Sequence, residues 1–141
     1  MDNIEMKILI GLHRNINKID KKTSKIASSY NLTFSQFMVL EALYSKGDMT
    51  IGQVREKILS SIGTISLIVN NLEKMNYIMK LPDKNDRRIC ILHLTKQGYD
   101  VISELAPKNA DMIRNSMQVL TYEEKENLLY LLKKIGGINN E

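Results

Sequence analysis

Apolar residues recur along the first 30 positions with the spacing of one face of a long helix. They are three, four or seven residues apart, which keeps them on one side of an α-helix. The set comprises Ile4, Ile8, Leu12, Ile16, Ile19 and Ile26. We therefore predict a first helix of about seven turns that carries one apolar stripe.

Helix-capping signals divide the next stretch into three short helices. Thr33 and Gln36 have the spacing of a capping box, and Gly47 suits the end of the second helix. Thr50 and Gln53 repeat the box before a third helix. A fourth helix follows after a tight turn that contains a serine pair. Its apolar stripe comprises Ile65, Ile68, Val69, Leu72 and Met75.

The apolar period changes after Asn76, where two segments rich in strand-forming residues flank a polar turn. The sequence reads YIMKLP, then DKNDRR, then ICILHLT. This arrangement predicts a β-hairpin. The expected fold class is mainly α with a small β-hairpin. A helix-turn-helix followed by a hairpin is the layout of a winged helix-turn-helix, a DNA-binding domain.

Two further helices are predicted after the hairpin. Thr95 caps the first of them, and Pro107 lies deep inside its pattern, where it is expected to kink the helix or split it in two. The last helix begins at a capping box of Thr121 and Glu124 and ends at a glycine pair. Its apolar stripe comprises Leu128, Leu131, Leu132 and Ile135.

The composition is that of an ordinary globular domain. The chain has 141 residues, of which 43% are hydrophobic and 26% charged, and this length suits one domain. Because no apolar run approaches the roughly 20 residues needed to cross a bilayer, we expect no membrane partner. The N-terminal segment has acids and amides where a secretory signal needs basic residues, so a cytoplasmic protein is expected.

Few side chains are suited to catalysis or metal binding. One cysteine, Cys90, and two histidines, His13 and His93, form neither an internal disulfide nor a zinc site. The acidic residues fall at helix starts and on exposed faces, with no convergent nucleophile and base. We expect no catalytic residues, no metal and no cofactor. Cys90 is in phase with Leu92 and Leu94 and is expected to be a small buried residue, with a redox-sensing thiol as the alternative.

The formal charge is positive and unevenly distributed. The whole chain carries +4, with +3 in residues 1–30, +3 in residues 61–98 and −2 in residues 99–141. A basic balance favours a polyanionic partner such as double-stranded DNA, and a solvated basic surface is the alternative. The order of the elements favours DNA.

Four segments carry the similarity to a known family. They occur in the order LTFSQFMVLEAL, MTIGQVREKIL, GTISLIVNNLEKMNYI and DKNDRRICILHLTKQG. The most specific feature is a D-x-R turn followed by an alternating strand and L-T-x-x-G. Its members are Asp86, Arg88, Leu94, Thr95 and Gly98. In the order, spacing and residue classes of these segments the sequence resembles the MarR family, the multiple antibiotic resistance regulators, and the resemblance extends over nearly the whole chain.

The resemblance implies one MarR-like domain over residues 1–141. Residues 31–98 would form the winged helix-turn-helix lobe, and residues 1–30 and 99–141 the helices that hold a homodimer together. It also implies a small-molecule or oxidant signal that changes DNA affinity, with a small aromatic compound as the expected effector. The expected function is a sequence-specific transcriptional repressor that such a signal releases from DNA.

The polar face of the fourth helix is expected to enter the major groove. Many MarR relatives carry arginines near two positions that are Leu67 and Asn71 here, so arginine cannot read guanine at those two positions. Asn70 and Asn71 suit adenine edges, and Leu67 suits a thymine methyl group. Thr64 and Ser66 suit phosphates or bases. The expected DNA contacts here are Ser61, Thr64, Ser66, Leu67, Asn70, Asn71 and Lys74.

The turn DKNDRR is expected to meet DNA through Lys84, Arg87 and Arg88. These cations gain nothing from core packing and would repel one another without a partner anion. The first and third residues of D-x-R lie on the same side of an extended chain, so Asp86 can orient Arg88 by hydrogen bonds. The resemblance marks Arg88 as the arginine that enters the minor groove, and Arg87 then points toward backbone phosphates.

A winged helix can also serve as a docking surface for proteins. The polar face of the fourth helix is poor in positive charge, which suits such a role. A protein-interaction module without specific DNA binding is therefore the alternative function.

Overall fold

The computed structural model describes residues 3–58 and 62–137. Within these ranges the predicted order of helices and hairpin is confirmed. The helices are α1 (Ile4–Ser28), α2 (Phe34–Lys46), α3 (Ile51–Ile58), α4 (Ile62–Lys74), α5 (Lys96–Ser116) and α6 (Tyr122–Gly136). The strands are β1 (Met49–Thr50), β2 (Ile78–Pro82) and β3 (Cys90–Leu94). No helix in the described ranges is long and apolar enough to span a membrane.

The three strands form one antiparallel sheet in the order β1-β3-β2. In the predicted hairpin, Ile78 pairs with Leu94 and Pro82 pairs with Cys90. Strand β1 was not predicted, because a strand of two residues has no readable alternation. Its second residue, Thr50, also caps α3 by accepting a hydrogen bond from the Gln53 amide at 3.1 Å.

The hydrophobic core lies between the helix-turn-helix, the sheet and the adjoining parts of α1, α2 and α5. The largest fully buried side chains include Phe37, Leu40, Ile65, Leu72, Ile78, Leu92, Ile102 and Leu105. The predicted stripe of α4 is confirmed at four positions that are buried, and its fifth member, Met75, is half-buried. Cys90 is half-buried against the core rather than buried, because it lies at the first position of β3, next to the exposed turn.

The cap predictions hold at the start of α2, α3, α5 and α6. Pro107 was predicted to kink α5 or to split it in two, and the split is excluded because α5 runs through the proline without a break. A proline removes one hydrogen bond from a helix interior, but α5 packs against both α1 and α2. The buried Thr23 hydroxyl of α1 donates to Asn109 Oδ1 at 2.7 Å, two residues beyond the proline.

The N-terminal part of the α1 stripe and the stripe of α6 are not covered by the other residues that the structure describes, whereas Ile19 and Ile26 of α1 are half-buried. Ile4, Ile8, Leu12 and Ile16 of α1 are exposed, and none of the residues of α6 is buried. The two stripes line a groove of about 530 Å³. Its apolar lining residues are Ile8, Leu12, Leu128, Leu131, Leu132 and Ile135.

The L-T-x-x-G segment ties the hairpin to α4 and α5. The Thr95 hydroxyl donates to the Asn76 carbonyl at 2.7 Å and accepts from the Gly98 amide at 3.0 Å. A Cβ placed on Gly98 would lie 2.0 Å from the Tyr77 carbonyl oxygen. Glycine is therefore required at position 98 by this close approach of two backbone segments.

We expect Gly98→Ala to lower the free energy of unfolding by about 1 to 3 kcal/mol, because the backbone at Tyr77 must move. The matched control is Gly52→Ala, where the nearest atom to an added Cβ is 3.9 Å away. That control should be neutral or slightly stabilising. Urea unfolding at one fixed protein concentration measures both, and equal stability of the two variants would contradict the close-contact explanation.

Candidate nucleic-acid interface

The outward face of α4 carries most of the predicted contact residues. Ile65, Ile68, Val69 and Leu72 fix the opposite face in the core. The predicted residues Thr64, Ser66, Leu67, Asn70 and Lys74 are exposed, whereas Asn71 is half-buried at the flank. Leu67 is 63% exposed. Ser61 lies outside the described residues.

Lys80 links the hairpin to this face of α4. It lies on β2 next to α4, and its Nζ donates to Asn70 Oδ1 at 2.5 Å. The same Nζ lies 3.6 Å from Glu73 Oε1, which is three residues after Asn70 on α4. The polar face of α4 therefore has a cation beside it that comes from the hairpin and not from the helix.

The turn between β2 and β3 is organised by Asp83. Its Oδ2 accepts hydrogen bonds from the backbone amides of Asn85 and Asp86, each at 3.0 Å. The Asp83 amide donates to the Ile89 carbonyl, and the Ile89 amide donates to the Asp86 carbonyl. These bonds close a compact turn that carries the basic residues at its tip.

Within this turn Asp86 holds Arg88 by a bidentate pair. The Arg88 Nε donates to Asp86 Oδ1 and its Nη2 donates to Oδ2, both at 3.1 Å. The Arg88 amide adds a bond to Oδ1 at 3.0 Å. The side-chain bonds from Arg88, and next its backbone bond, lower the pKa of the Asp86 carboxyl below its ordinary value. The pair is therefore ionised at neutral pH.

The predicted pairing of Asp86 with Arg88 is present, but the predicted backbone is not. Residues 87–89 form a turn and a bend instead of an extended segment. The contact arises because the Asp86 side chain bonds the amide two residues later, a geometry typical of aspartate in turns. The Arg88 side chain is 91% exposed, so the carboxylate orients the guanidinium without burying it.

The other two cations of the turn, Lys84 and Arg87, are also exposed. Sequence reasoning missed two residues that matter for this surface, Lys80 and Asp83. An aspartate at the first position of a polar turn was a readable signal for Asp83. Lys80 had no comparable signal, because its contact with Asn70 depends on how β2 packs on α4.

The remaining polar pairs do not resemble a catalytic or metal centre. His93 Nδ1 lies 2.7 Å from Asp48 Oδ1, and both side chains are about half-exposed. This pair joins the residue before β1 to β3. Across residues 3–58 and 62–137, no three His, Cys, Asp or Glu side chains cluster as a metal site requires.

Comparison with known proteins identifies the family of the chain. Residues 21–105 match the family of the transcriptional regulator SarA/Rot. The chain is 31% identical to the HTH-type transcriptional regulator MhqR of Bacillus subtilis over 136 residues, which cover 96% of this chain and 94% of MhqR. These relatives are regulators of transcription and not enzymes.

Solved structures share the fold over nearly the whole chain. A point mutant of MarR from E. coli, complexed with operator DNA, has a TM-score of 0.80 at 24% identity and covers 96% of this chain and 99% of its own. BpsR of Bordetella bronchiseptica, whose DNA binding is regulated by 6-hydroxynicotinic acid, has a TM-score of 0.83 at 21% identity and covers 99% of both chains. The chain thus belongs to the SarA/Rot family of transcriptional regulators, DNA-binding proteins with the winged-helix fold of MarR.

Proposed function

We propose that the protein is a cytoplasmic, homodimeric repressor that binds a specific operator in double-stranded DNA. The observation that carries this proposal is the turn between β2 and β3, here called the wing turn, where Asp86 holds the 91% exposed side chain of Arg88 by a bidentate pair. In this arrangement α4 enters the major groove and Arg88 enters the adjacent minor groove. A narrow A·T-rich minor groove concentrates negative potential and favours such an insertion.

The other candidate residues take roles that follow from their chemistry. Lys84, Arg87 and Lys74 are exposed cations suited to phosphates, which fix position without reading sequence. Thr64, Ser66, Asn70 and Asn71 would contact bases or phosphates from α4. Ser61 stays a candidate from the sequence alone.

We also propose that the helices of residues 1–30 and 99–141 hold two copies of the chain together as a homodimer. In this dimer the second copy covers the apolar stripes of α1 and α6. Ile8 and Leu12 of α1 together with Leu128 and Leu132 of α6 leave an apolar groove that is large for a soluble monomer. Pairing about a two-fold axis would bury it and present two copies of α4. Two half-sites one helical turn apart, about 34 to 36 Å, would then be read together.

Selection of bound fragments from the source genome, followed by titration, tests DNA binding by this protein. The recovered duplex and a random duplex are titrated at low and moderate salt. We expect tight, specific binding to the recovered duplex and weak binding to random DNA that falls steeply with salt. A protein-docking module would bind neither duplex at either salt concentration.

We further propose a small aromatic effector, because the DNA binding of the similar protein BpsR is regulated by 6-hydroxynicotinic acid. Such a compound would favour a dimer whose two copies of α4 are wrongly spaced for the operator. We expect the right compound to weaken operator binding by about 5- to 150-fold, a coupling of about 1 to 3 kcal/mol. Fluorescence anisotropy on the selected operator, with a panel of phenols and aromatic acids, measures the effect.

Oxidation of the Cys90 thiol is the alternative to an aromatic effector as the signal, and the variant Cys90→Ser distinguishes these two signals. An aromatic effector should act on this variant as on the wild type, whereas an oxidant that works through the half-buried thiol should lose its effect. If neither compounds nor oxidants change the affinity, a constitutive regulator becomes the better description.

A further inference from the structure

The contact between Lys80 and Asn70 affects which base α4 can read. This inference rests on the proposed insertion of α4 into the major groove. An asparagine amide has one acceptor, Oδ1, and two donor protons on Nδ2. Reading adenine needs both ends, because Oδ1 accepts from the adenine N6 amino group while Nδ2 donates to N7. In this protein Oδ1 accepts a short hydrogen bond from the Lys80 ammonium, at 2.5 Å.

Glu73 keeps the ammonium in this place. Its Oε1 is 3.6 Å from Lys80 Nζ, and Asn70 and Glu73 lie on the same side of α4, three residues apart. The Lys80 side chain is 33% exposed, so most of its surface is covered by the protein. Lys80 is thus held by two groups of α4 rather than extended freely toward solvent.

We propose that Lys80 is a positioning residue that makes the Asn70 corner of α4, formed by the Asn70 amide and the Lys80 ammonium, rich in donors and turns its preference from adenine to guanine. The ammonium takes one of the two lone pairs of Oδ1 and places a positive charge beside the other. The donors offered to a base are then the Nδ2 protons and the remaining proton of Nζ. Guanine presents two acceptors, N7 and O6, in the major groove, whereas adenine presents one acceptor and one donor. The adenine amino group would face a donor at this corner.

This role compensates for the residues that α4 lacks. The helix has Leu67 and Asn71 where an arginine would supply a forked donor pair for guanine. Lys80 and Asn70 together supply two donors from two different elements. The corner therefore reads guanine only while the hairpin is packed on the helix.

Selection from a randomised duplex library tests the proposal with the wild type and with Lys80→Met, Lys80→Arg and Lys84→Met. Lys80→Met keeps the stem and releases Oδ1, so one base pair in each half-site should shift from G·C toward A·T by about tenfold in relative affinity. Lys80→Arg keeps a donor and should keep the guanine preference. Lys84→Met removes the same charge from the same hairpin beyond the end of β2, and should lower affinity without changing the selected sequence.

Two other outcomes would overturn the proposal, and they are distinguishable. If Lys80→Met weakens binding to the operator and to random DNA equally, with an unchanged selected sequence, Lys80 contacts only phosphate and the proposed function stands. If the wild type enriches no sequence from the library, specific DNA binding itself fails and the proposal fails with it. Circular dichroism melting of each variant verifies that the proteins compared are folded.

Discussion

Replacing Leu132 with glutamate should convert the protein from a dimer to a monomer and weaken operator binding by about 100-fold or more. Leu132 lines the groove between α6 and α1, and 41% of it is exposed in the single chain. In the proposed dimer a second copy covers it, so a glutamate would place an unpaired charge in an apolar interface. The resulting monomer binds one half-site and loses the gain in affinity that comes from binding two linked half-sites at once.

The matched control is Tyr130→Glu, also on α6. Tyr130 is 60% exposed and lines a different groove, together with Glu123 and Glu126. This variant introduces the same glutamate on a face that already carries acids, so it should stay dimeric and bind the operator like the wild type. Light scattering and operator titration at micromolar protein measure both variants.

Loss of the dimer should not unfold the winged-helix lobe. The core lies mainly in α2, α4, α5 and the hairpin, with Ala27 of α1 and Val54 of α3, and α6 contributes none of its residues to the buried set. Leu132→Glu should therefore keep a cooperative melting transition, at a lower temperature because the dimer no longer stabilises the fold by mass action. A wild-type protein that is monomeric at micromolar concentration would contradict the dimer and the role of both stripes.

Elements whose determinants are local in sequence were predictable. Each cap needs a threonine and a partner three residues later, and Thr33, Thr50, Thr95 and Thr121 all cap the expected helices. The stripe of α4 needs only helical spacing. The stripes of α1 and α6 were also readable, and their exposure in the single chain could be anticipated because they exceed what one lobe can cover.

Features that depend on packing between distant segments were not predictable. Strand β1 has two residues and exists because Met49 and Thr50 pair with β3, more than 40 positions away. The contact of Lys80 with Asn70 depends in the same way on how β2 lies against α4. Pro107 does not split α5, because propensity acts within a helix while packing against α1 and α2 stabilises α5 from outside.

The wing turn lies between these two cases. Its charges and its D-x-R spacing were readable, and the pairing of Asp86 with Arg88 followed from them. The backbone was wrongly expected to be extended, because Asp83 folds the segment through bonds to two amides that follow it. Asp86 still pairs with Arg88, because an aspartate side chain in a turn also reaches the amide two residues later.

We expect Arg88→Ala to weaken operator binding by about 1 to 3 kcal/mol and to relax the preference for A·T pairs at the flanks. Arg88 contributes little to folding, because its side chain is 91% exposed and an ion pair in solvent adds little to stability. Binding should therefore change while the melting temperature does not. Titration on the selected operator and on variants of its flanking pairs measures the effect.

The neighbouring residues separate insertion into the groove from simple attraction to phosphate. Arg87→Ala removes an exposed cation with no orienting carboxylate, so it should weaken operator and random DNA alike and lower the salt slope by about one. Asp86→Ala should reproduce a milder form of Arg88→Ala, because the arginine stays but is no longer aimed. The fold of the turn should survive this change, since its closing bonds use the Asp83 side chain and the backbone of residue 86.

Asp83→Ala differs from these three variants because it disrupts the backbone of the turn and not a single contact. Without its carboxylate the amides of Asn85 and Asp86 lose their acceptor, so Arg87 and Arg88 should both lose their positions. We expect this variant to combine the flank relaxation of Arg88→Ala with the general loss of Arg87→Ala. An exposed hairpin without a role in DNA binding predicts near-native curves for all four variants, and unchanged affinity of Arg88→Ala on the operator would rule out insertion of the wing.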